Sequence, residues 1–147
     1  MKAVVDANVW LAASRPEEPS HREAAAFLRE AIAQGVELLE PVLVLPEVAG
    51  TAARSSRDAT EGREATERLA KTPGVQFYDV TCLRAERAAG FASRLFLKGA
   101  DSVYAVLAAE LGTELVTLDL ELHQRAGAEL PALSPTERLA RHAPAQA

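Results

Sequence analysis

Three features of this 147-residue chain predict an α/β fold: one domain with a central, mainly parallel sheet flanked by helices. Short apolar runs rich in Val and Leu alternate with longer stretches whose apolar residues recur at helical spacing. Turn signals separate these runs, and no repeat, linker or low-complexity block divides the chain. The composition is that of an ordinary globular protein, 48% hydrophobic, 25% charged and 5% aromatic.

The first run, "VVDANVWL", is strand-like but carries a carboxylate, Asp6. A lone ionised carboxylate is costly to bury. Asp6 is therefore expected either to be neutralised or to stand where the strand ends and a cleft begins. After the turn-rich "SRPEEPS", the stretch "SHREAAAFLREAIAQG" predicts a helix. Ser20 and Glu23 have capping-box spacing, and Gly35 supplies the stop. Ala24, Phe27, Leu28, Ala31 and Ile32 make one apolar face. Residues 36–45 predict a short strand to Leu39 and, after Pro41, the entry to a helix that Pro46 either starts or kinks.

"EVAGTAAR" continues that helix. Residues 55–71 are a polar helical stretch, with Asp58 and Glu61 at capping-box spacing and a thin apolar face of Ala59, Ala65 and Leu69. It reads as an exposed arm or partner surface, with Ala52 and Ala53 nearby, or equally as a solvated helix with no partner. "TPGVQFYDV" predicts a turn and a strand over residues 75–80. Thr81 can cap a helix whose apolar positions are Ala85, Ala88, Ala89, Ala92, Leu95 and Phe96. "KGADSVYAVLAAELG" is a helix closed by Gly112, and "ELVTLD" a strand. "ELPALSPTERLAR" predicts a last short strand and a helical turn. The domain is expected to span residues 1–138, with a flexible tail over 139–147.

Composition also excludes function classes. The single cysteine, Cys82, rules out an internal disulfide and fits a reducing cytosol. No apolar run approaches the roughly 18 residues of a membrane span, and the first strand starts too early to leave room for a leader. A cytoplasmic protein without membrane attachment is the expectation. His21, His123 and His142 match no zinc spacing, and no Gly-rich phosphate loop or G-x-S-x-G elbow is present. The net charge of −5 argues against nucleic acid at face value. Setting four acids aside as a metal site leaves a nearly neutral balance, so net charge does not decide.

Four acids stand at element ends: Asp6 after the first strand, Glu47 after Pro46, Asp101 opening a helix, and Asp119 ending a strand. The helix from Asp101 to Gly112 travels roughly 16 Å. The strand that follows returns roughly 16 Å. Asp101 and Asp119 therefore come to the same edge. If the first strand runs parallel to this one, Asp6 joins them at the carboxyl edge, where open α/β sheets bind ligands. Converging carboxylates repel unless cations intervene, and hard oxygen ligands suit Mg²⁺ or Mn²⁺. Singly, Asp101 reads as a helix cap, Glu47 as a solvated helix residue and Asp119 as a turn cap.

The stretches "VVDANVWL", "VLVLPEV", "KGADSVYAVLAAELG" and "LVTLD", in this order, resemble the PIN-domain ribonucleases, in particular the VapC-type toxins of bacterial toxin–antitoxin pairs. The resemblance runs from Met1 to about Arg138, and the "SPTERLA" tail is similar to the family's closing segment. It implies that Asp6, Glu47, Asp101 and Asp119 are a catalytic acidic quartet. Asp6, Asp101 and Asp119 would contact one or two metal ions directly or nearly so, and Glu47 would act through a metal-bound water or orient the attacking water. Asn8 and Thr117 match polar positions that line the same site. Metal-dependent hydrolysis of RNA is the implied activity, with inhibition of translation and growth as its consequence. A small antitoxin and a second copy of the chain are the implied partners.

The family's further acid or aromatic after Asp119 is replaced here by "LELH", and Glu121 is left outside the site. Among basic residues, Lys98 is best placed to touch an RNA phosphate, with Arg54, Arg57 and Arg94 as further candidates. Trp10 and Leu11 are expected in the core. Two rival chemistries fail. A phospho-acceptor receiver needs paired acids after the first strand, and a haloacid-dehalogenase-like phosphatase needs a second Asp where Asn8 stands. A housekeeping RNA-processing nuclease and a catalytically silent PIN-like binding module keep the same fold.

Overall fold

The computed structural model describes residues 1–143. Five strands, β1 (Lys2–Val5), β2 (Glu37–Pro41), β3 (Val75–Tyr78), β4 (Glu114–Val116) and β5 (Ala132–Leu133), form one sheet in the order β3-β2-β1-β4-β5. Every pairing is parallel. Parallel strands need crossovers, and helices supply them. They are α1 (Ala7–Ser14), α2 (His21–Ala33), α3 (Val44–Ser56), α4 (Ala59–Ala70), α5 (Cys82–Leu95), α6 (Gly99–Glu110), α7 (Leu120–Ala126) and α8 (Pro135–Arg141).

The central strand β1 is covered on both faces, so Ala3, Val4 and Val5 are fully buried. Val4 stands opposite Leu39 on one side and Leu115 on the other. Helix α6 packs on β1, β2 and β4, and residues 102–108 along it are all buried. That placement explains why it is apolar nearly all round. Helix α5 runs antiparallel on its outer side. Arg84 and Arg87 near the start of α5 pair with Glu110 at the end of α6, and a three-residue link joins the other ends.

Several expectations change. "VVDANVWL" is a strand only to Val5, and the rest is helix α1, whose Val9 and Trp10 are buried. Ser20 does not cap α2 through its side chain, and Glu23 instead accepts a hydrogen bond from Thr136 Oγ1 at 2.6 Å. Pro46 lies in the first turn of α3, where its missing N–H costs nothing. The polar helix α4 is not a projecting arm. It packs along α3 so closely that a β-carbon on Gly62 would lie 2.6 Å from the Ala49 carbonyl oxygen. Its Ala65 and Leu69 are buried, while Ala59 is exposed.

On α5 only Ala88 is buried, and Phe96 is 76% exposed. Helix α5 packs on α6 rather than on the sheet, so it needs only a narrow apolar stripe. The strand "ELVTLD" ends at Val116. Of the expected tail, residues 139–141 belong to α8, and residues 144–147 lie outside the described residues. No helix among the described residues is long and apolar enough to cross a membrane.

Candidate functional site

The four acids share a structural position: each stands at the N-terminus of a helix. Asp6 is the N-cap of α1, Asp119 is the N-cap of α7, and Glu47 and Asp101 lie in the first turns of α3 and α6. Helix N-termini present unpaired N–H groups and the positive end of the helix dipole, so local structure partly offsets each negative charge. Asp119 shows this directly, since its Oδ1 accepts from the backbone N–H of Glu121 at 2.8 Å and of Leu122 at 3.1 Å. The capping role read for Asp119 alone and its place among the four acids therefore coexist.

Register brings the pieces together. Val5 and Val116 are partners in adjacent parallel strands, so Asp6 and Thr117 leave the sheet side by side. The Asp6 N–H donates to the Val116 carbonyl at 2.9 Å. Thr117, only 1% exposed, donates its hydroxyl proton to Asp6 Oδ2 at 2.7 Å. Its Oγ1 accepts from the Asp119 N–H at 3.0 Å and, more weakly, from Asn8 Nδ2 at 3.4 Å. Asn8 Oδ1 accepts from the Leu118 N–H at 3.2 Å. Asn8 and Thr117 thus hold the β4–α7 junction against the start of α1.

The electrostatics place the acids close enough to feel one another. Asp6 is 6% exposed. Burial chiefly, and then the charges of Asp101, Glu47 and Asp119, push its carboxyl up to about 7 against the opposing hydrogen bond from Thr117. The Asp101 carboxyl is also raised, by burial first and then by Asp119, Glu47 and Glu121, with Lys98 opposing. Glu121 is therefore electrostatically near, though its carboxylate is taken by Arg125 at 2.5 Å. Among the described residues, none of the four acids forms an ion pair with Lys, Arg or His.

Asp6, Asp101 and Asp119 were expected in direct or near-direct contact with metal, whether one ion or two. Among the described residues, no group of three or more acid, His or Cys side chains is gathered tightly enough to enclose an ion by itself. Thr117 and the α7 N–H groups hold oxygens of Asp6 and Asp119. The donor chemistry still fits a hard divalent cation, and Mg²⁺ commonly binds through one or two carboxylates while keeping several waters. A cleft of about 420 Å³ opens beside Asn8 and Asp119, walled by Leu11, Arg15, Ser20 and Thr51.

Two residues not singled out from the sequence complete the site. Tyr104 is fully buried and donates its hydroxyl proton to Glu47 Oε2, which fixes that carboxylate from below. Burial, then the Glu47 charge, holds the Tyr104 phenol far above its ordinary range, so it stays a donor. Its position three residues after Asp101, on the same face of α6, was the available signal. Glu40 is fully buried in β2, and its Oε1 accepts from Trp10 Nε1 at 2.9 Å. Its Oε2 has no partner. Burial above all pushes its carboxyl well up, opposed by the Trp10 hydrogen bond. An acid inside the apolar run "ELLEP" was as odd as Asp6 in its run.

Of the basic candidates, Lys98 is the N-cap residue of α6 and the one cation that offsets Asp101. Arg54 and Arg57 lie at the far end of α3 from Glu47, and Arg94 is clamped on Glu129 at 2.6 and 2.7 Å. The histidines serve structure: His21 bonds the Ala12 carbonyl at 2.9 Å, His123 pairs with Glu137 at 2.8 Å, and His142 lies 3.5 Å from Glu114.

The architecture matches known structures over most of its length. The VapBC2 complex of Rickettsia felis bound to a promoter DNA fragment contains a chain with TM-score 0.70 and 12% identity, covering 91% of this chain and 98% of that one. PAE2754 of Pyrobaculum aerophilum aligns with TM-score 0.71 and 19% identity over 96% and 88%. Mycobacterium tuberculosis VapC20, a sarcin–ricin loop cleaving toxin, aligns with TM-score 0.69 and 17% identity over 87% and 95%. A sequence search of curated proteins finds no match. The PIN domain family model matches residues 3–128, a span that runs from β1 through α7 and contains all four edge acids, and the chain belongs to the PIN domain family.

Proposed function

We propose that this protein is a divalent-cation-dependent endoribonuclease, the toxin of a toxin–antitoxin pair. The observation that carries the reading is the set of four unpaired acids at helix N-termini around one sheet edge in a PIN domain. Support for the toxin role comes from structural neighbours that include VapBC complexes and an RNA-loop-cleaving VapC.

In this reading Asp6, Asp101 and Asp119 are the candidates to hold Mg²⁺ or Mn²⁺, through one or two direct contacts and water. When bound, such an ion supplies an activated water and charge stabilisation at the scissile phosphate. The rest falls to the protein. Thr117 keeps Asp6 oriented, and Tyr104 keeps one Glu47 oxygen engaged and leaves the other to orient water. Lys98 offsets the repulsion between Asp101 and an approaching phosphate. The cleft beside Asn8 and Asp119 admits the RNA backbone. An antitoxin offering a basic group would compete at the acid edge, and a homodimer in the cytoplasm is the form in which the reading places the enzyme.

The test is cleavage of total RNA by the purified protein, stripped of co-purifying partners. Cutting is expected with Mg²⁺ or Mn²⁺ and not with chelator, and it should fall at least 100-fold in Asp101→Asn. Cleavage that persists in chelator, or equally in the variant, contradicts the assignment.

A further inference from the structure

The α5–α6 link consists of Phe96, Leu97 and Lys98, and it forms one rim of the acid edge. Leu97 is buried, and Lys98 starts α6 three residues before Asp101. Phe96 turns outward and, at 76%, is more exposed than any other large apolar side chain among the described residues. Its backbone is left-handed, with φ 55°. Glycine is the usual residue for that position after a helix, because a β-carbon there costs free energy. The link is also tied down. Arg125 of α7 donates to the Phe96 carbonyl, and the Leu97 N–H bonds the Ala92 carbonyl at 3.1 Å. Because α7 begins at Asp119, this tether joins the Asp119 side of the edge to the Asp101 side.

An exposed aromatic ring is thus held rigidly where glycine would be easier, beside the acids. Charged side chains stand around it. Lys98 makes no ion pair among the described residues, and Arg94 and Arg125 flank the link, each already held by an acid. A protein partner that buried Phe96 would desolvate these charges, whereas protein interfaces are depleted of charge at their centres. An aromatic face next to a free ammonium is instead the pairing that unpaired nucleotides use, the base stacking on the ring and the phosphate on the cation.

Resting on the ribonuclease reading, we propose that Phe96 is a base-stacking platform for one unpaired nucleotide of the RNA substrate, with Lys98 on the adjoining phosphate. Stacking accepts any base, so this platform sets which phosphate reaches the acids rather than which sequence is cut.

The test uses a mixed-sequence single-stranded RNA carrying 2-aminopurine and the full chain in an Asp101→Asn background, so that binding is read without cleavage. Quenching of 2-aminopurine is expected on binding. Phe96→Ala should lose the quenching and bind about 5- to 100-fold more weakly. Phe96→Trp should keep both. Phe96→Gly should melt at the same or a higher temperature than the parent yet bind as weakly as Phe96→Ala, which separates stacking from folding. Unchanged quenching and affinity in Phe96→Ala overturns the proposal. So does a change in that variant's molecular mass in solution, which would assign the ring to self-association. If the parent background binds no RNA and the unmutated protein cuts none, the ribonuclease reading falls first and takes this one with it. RNA cleavage by the unmutated protein with unchanged RNA binding by Phe96→Ala overturns the Phe96 assignment alone.

Discussion

Strand β4 treats the acids at its two ends in opposite ways. Glu114, at its start, pairs with Arg138, with Arg141 and His142 at 4.0 and 3.5 Å. Arg138 is itself 3% exposed, so a buried cation is committed to that one acid. Just past the other end, Asp119 has helix N–H groups and, among the described residues, no cation paired with it. Helix α6 repeats the contrast. Glu110 at its end is an exposed residue whose partial desolvation alone would raise its carboxyl, but Arg87 and Arg84 outweigh that and hold it low. Asp101 at its start is held high. For Glu114 and Glu110, away from the carboxyl edge, this protein supplies the counter-charge. At the carboxyl edge it gathers acids that form no ion pair among the described residues.

The largest expected effect tests the paired end. Arg138→Ala should destabilise by about 3–5 kcal/mol in chemical denaturation, because it strands Glu114. A loss under 1 kcal/mol would break the comparison. At the unpaired edge the signature is pH. Asp6 is about 7 when folded against an ordinary 3.8, so the folded chain holds a proton that the unfolded chain releases. Stability is therefore full below about pH 4 and falls as pH rises towards 7, by up to about 4 kcal/mol for this group without added metal. Asp101 acts with the same sign. Asp6→Asn should flatten that slope, and an unchanged slope would show that the repulsion lies elsewhere.

Glu40 sharpens the comparison, being an acid that is buried without a cation yet lies off the edge. Because burial pushes its carboxyl well up, it should tolerate Gln within about 1 kcal/mol, whereas Glu40→Ala should lose about 2–4 kcal/mol and alter the fluorescence of Trp10, the single tryptophan. Equal losses in both variants would mean that Glu40 is ionised. The smallest effect is a control far from both ends: Asp58→Ala removes the cap on the Thr60 N–H, worth about 1 kcal/mol in thermal denaturation.

The sequence made the sheet legible because β-branched and Leu-rich runs alternated with amphipathic helices, and the acids legible because each interrupts or follows such a run. It could not show α1, since eight residues lying between sheet and helices are apolar all round and read as more strand. The close packing of α4 on α3 hides in one glycine, Gly62, whose value is an absent side chain. Phe96 fell at helical spacing from Ala92 and so looked buried, but the helix ends at Leu95 and a left-handed turn throws the ring outward. Tyr104 and Glu40 each carry a local signal, but their partners, Glu47 and Trp10, lie 57 and 30 residues away, and local pattern does not show such pairings.

The most direct measurement is the melting temperature at pH 7.5 as Mg²⁺ is added, for the unmutated chain beside Asp101→Asn. The unmutated protein should gain several degrees, reversed by chelator, because a cation that binds only the folded acid edge stabilises it. Asp101→Asn should start higher, relieved of repulsion, and respond little. A chain that gains nothing from Mg²⁺, or a variant that gains as much as its parent, would contradict the claim that these acids are gathered to hold a metal.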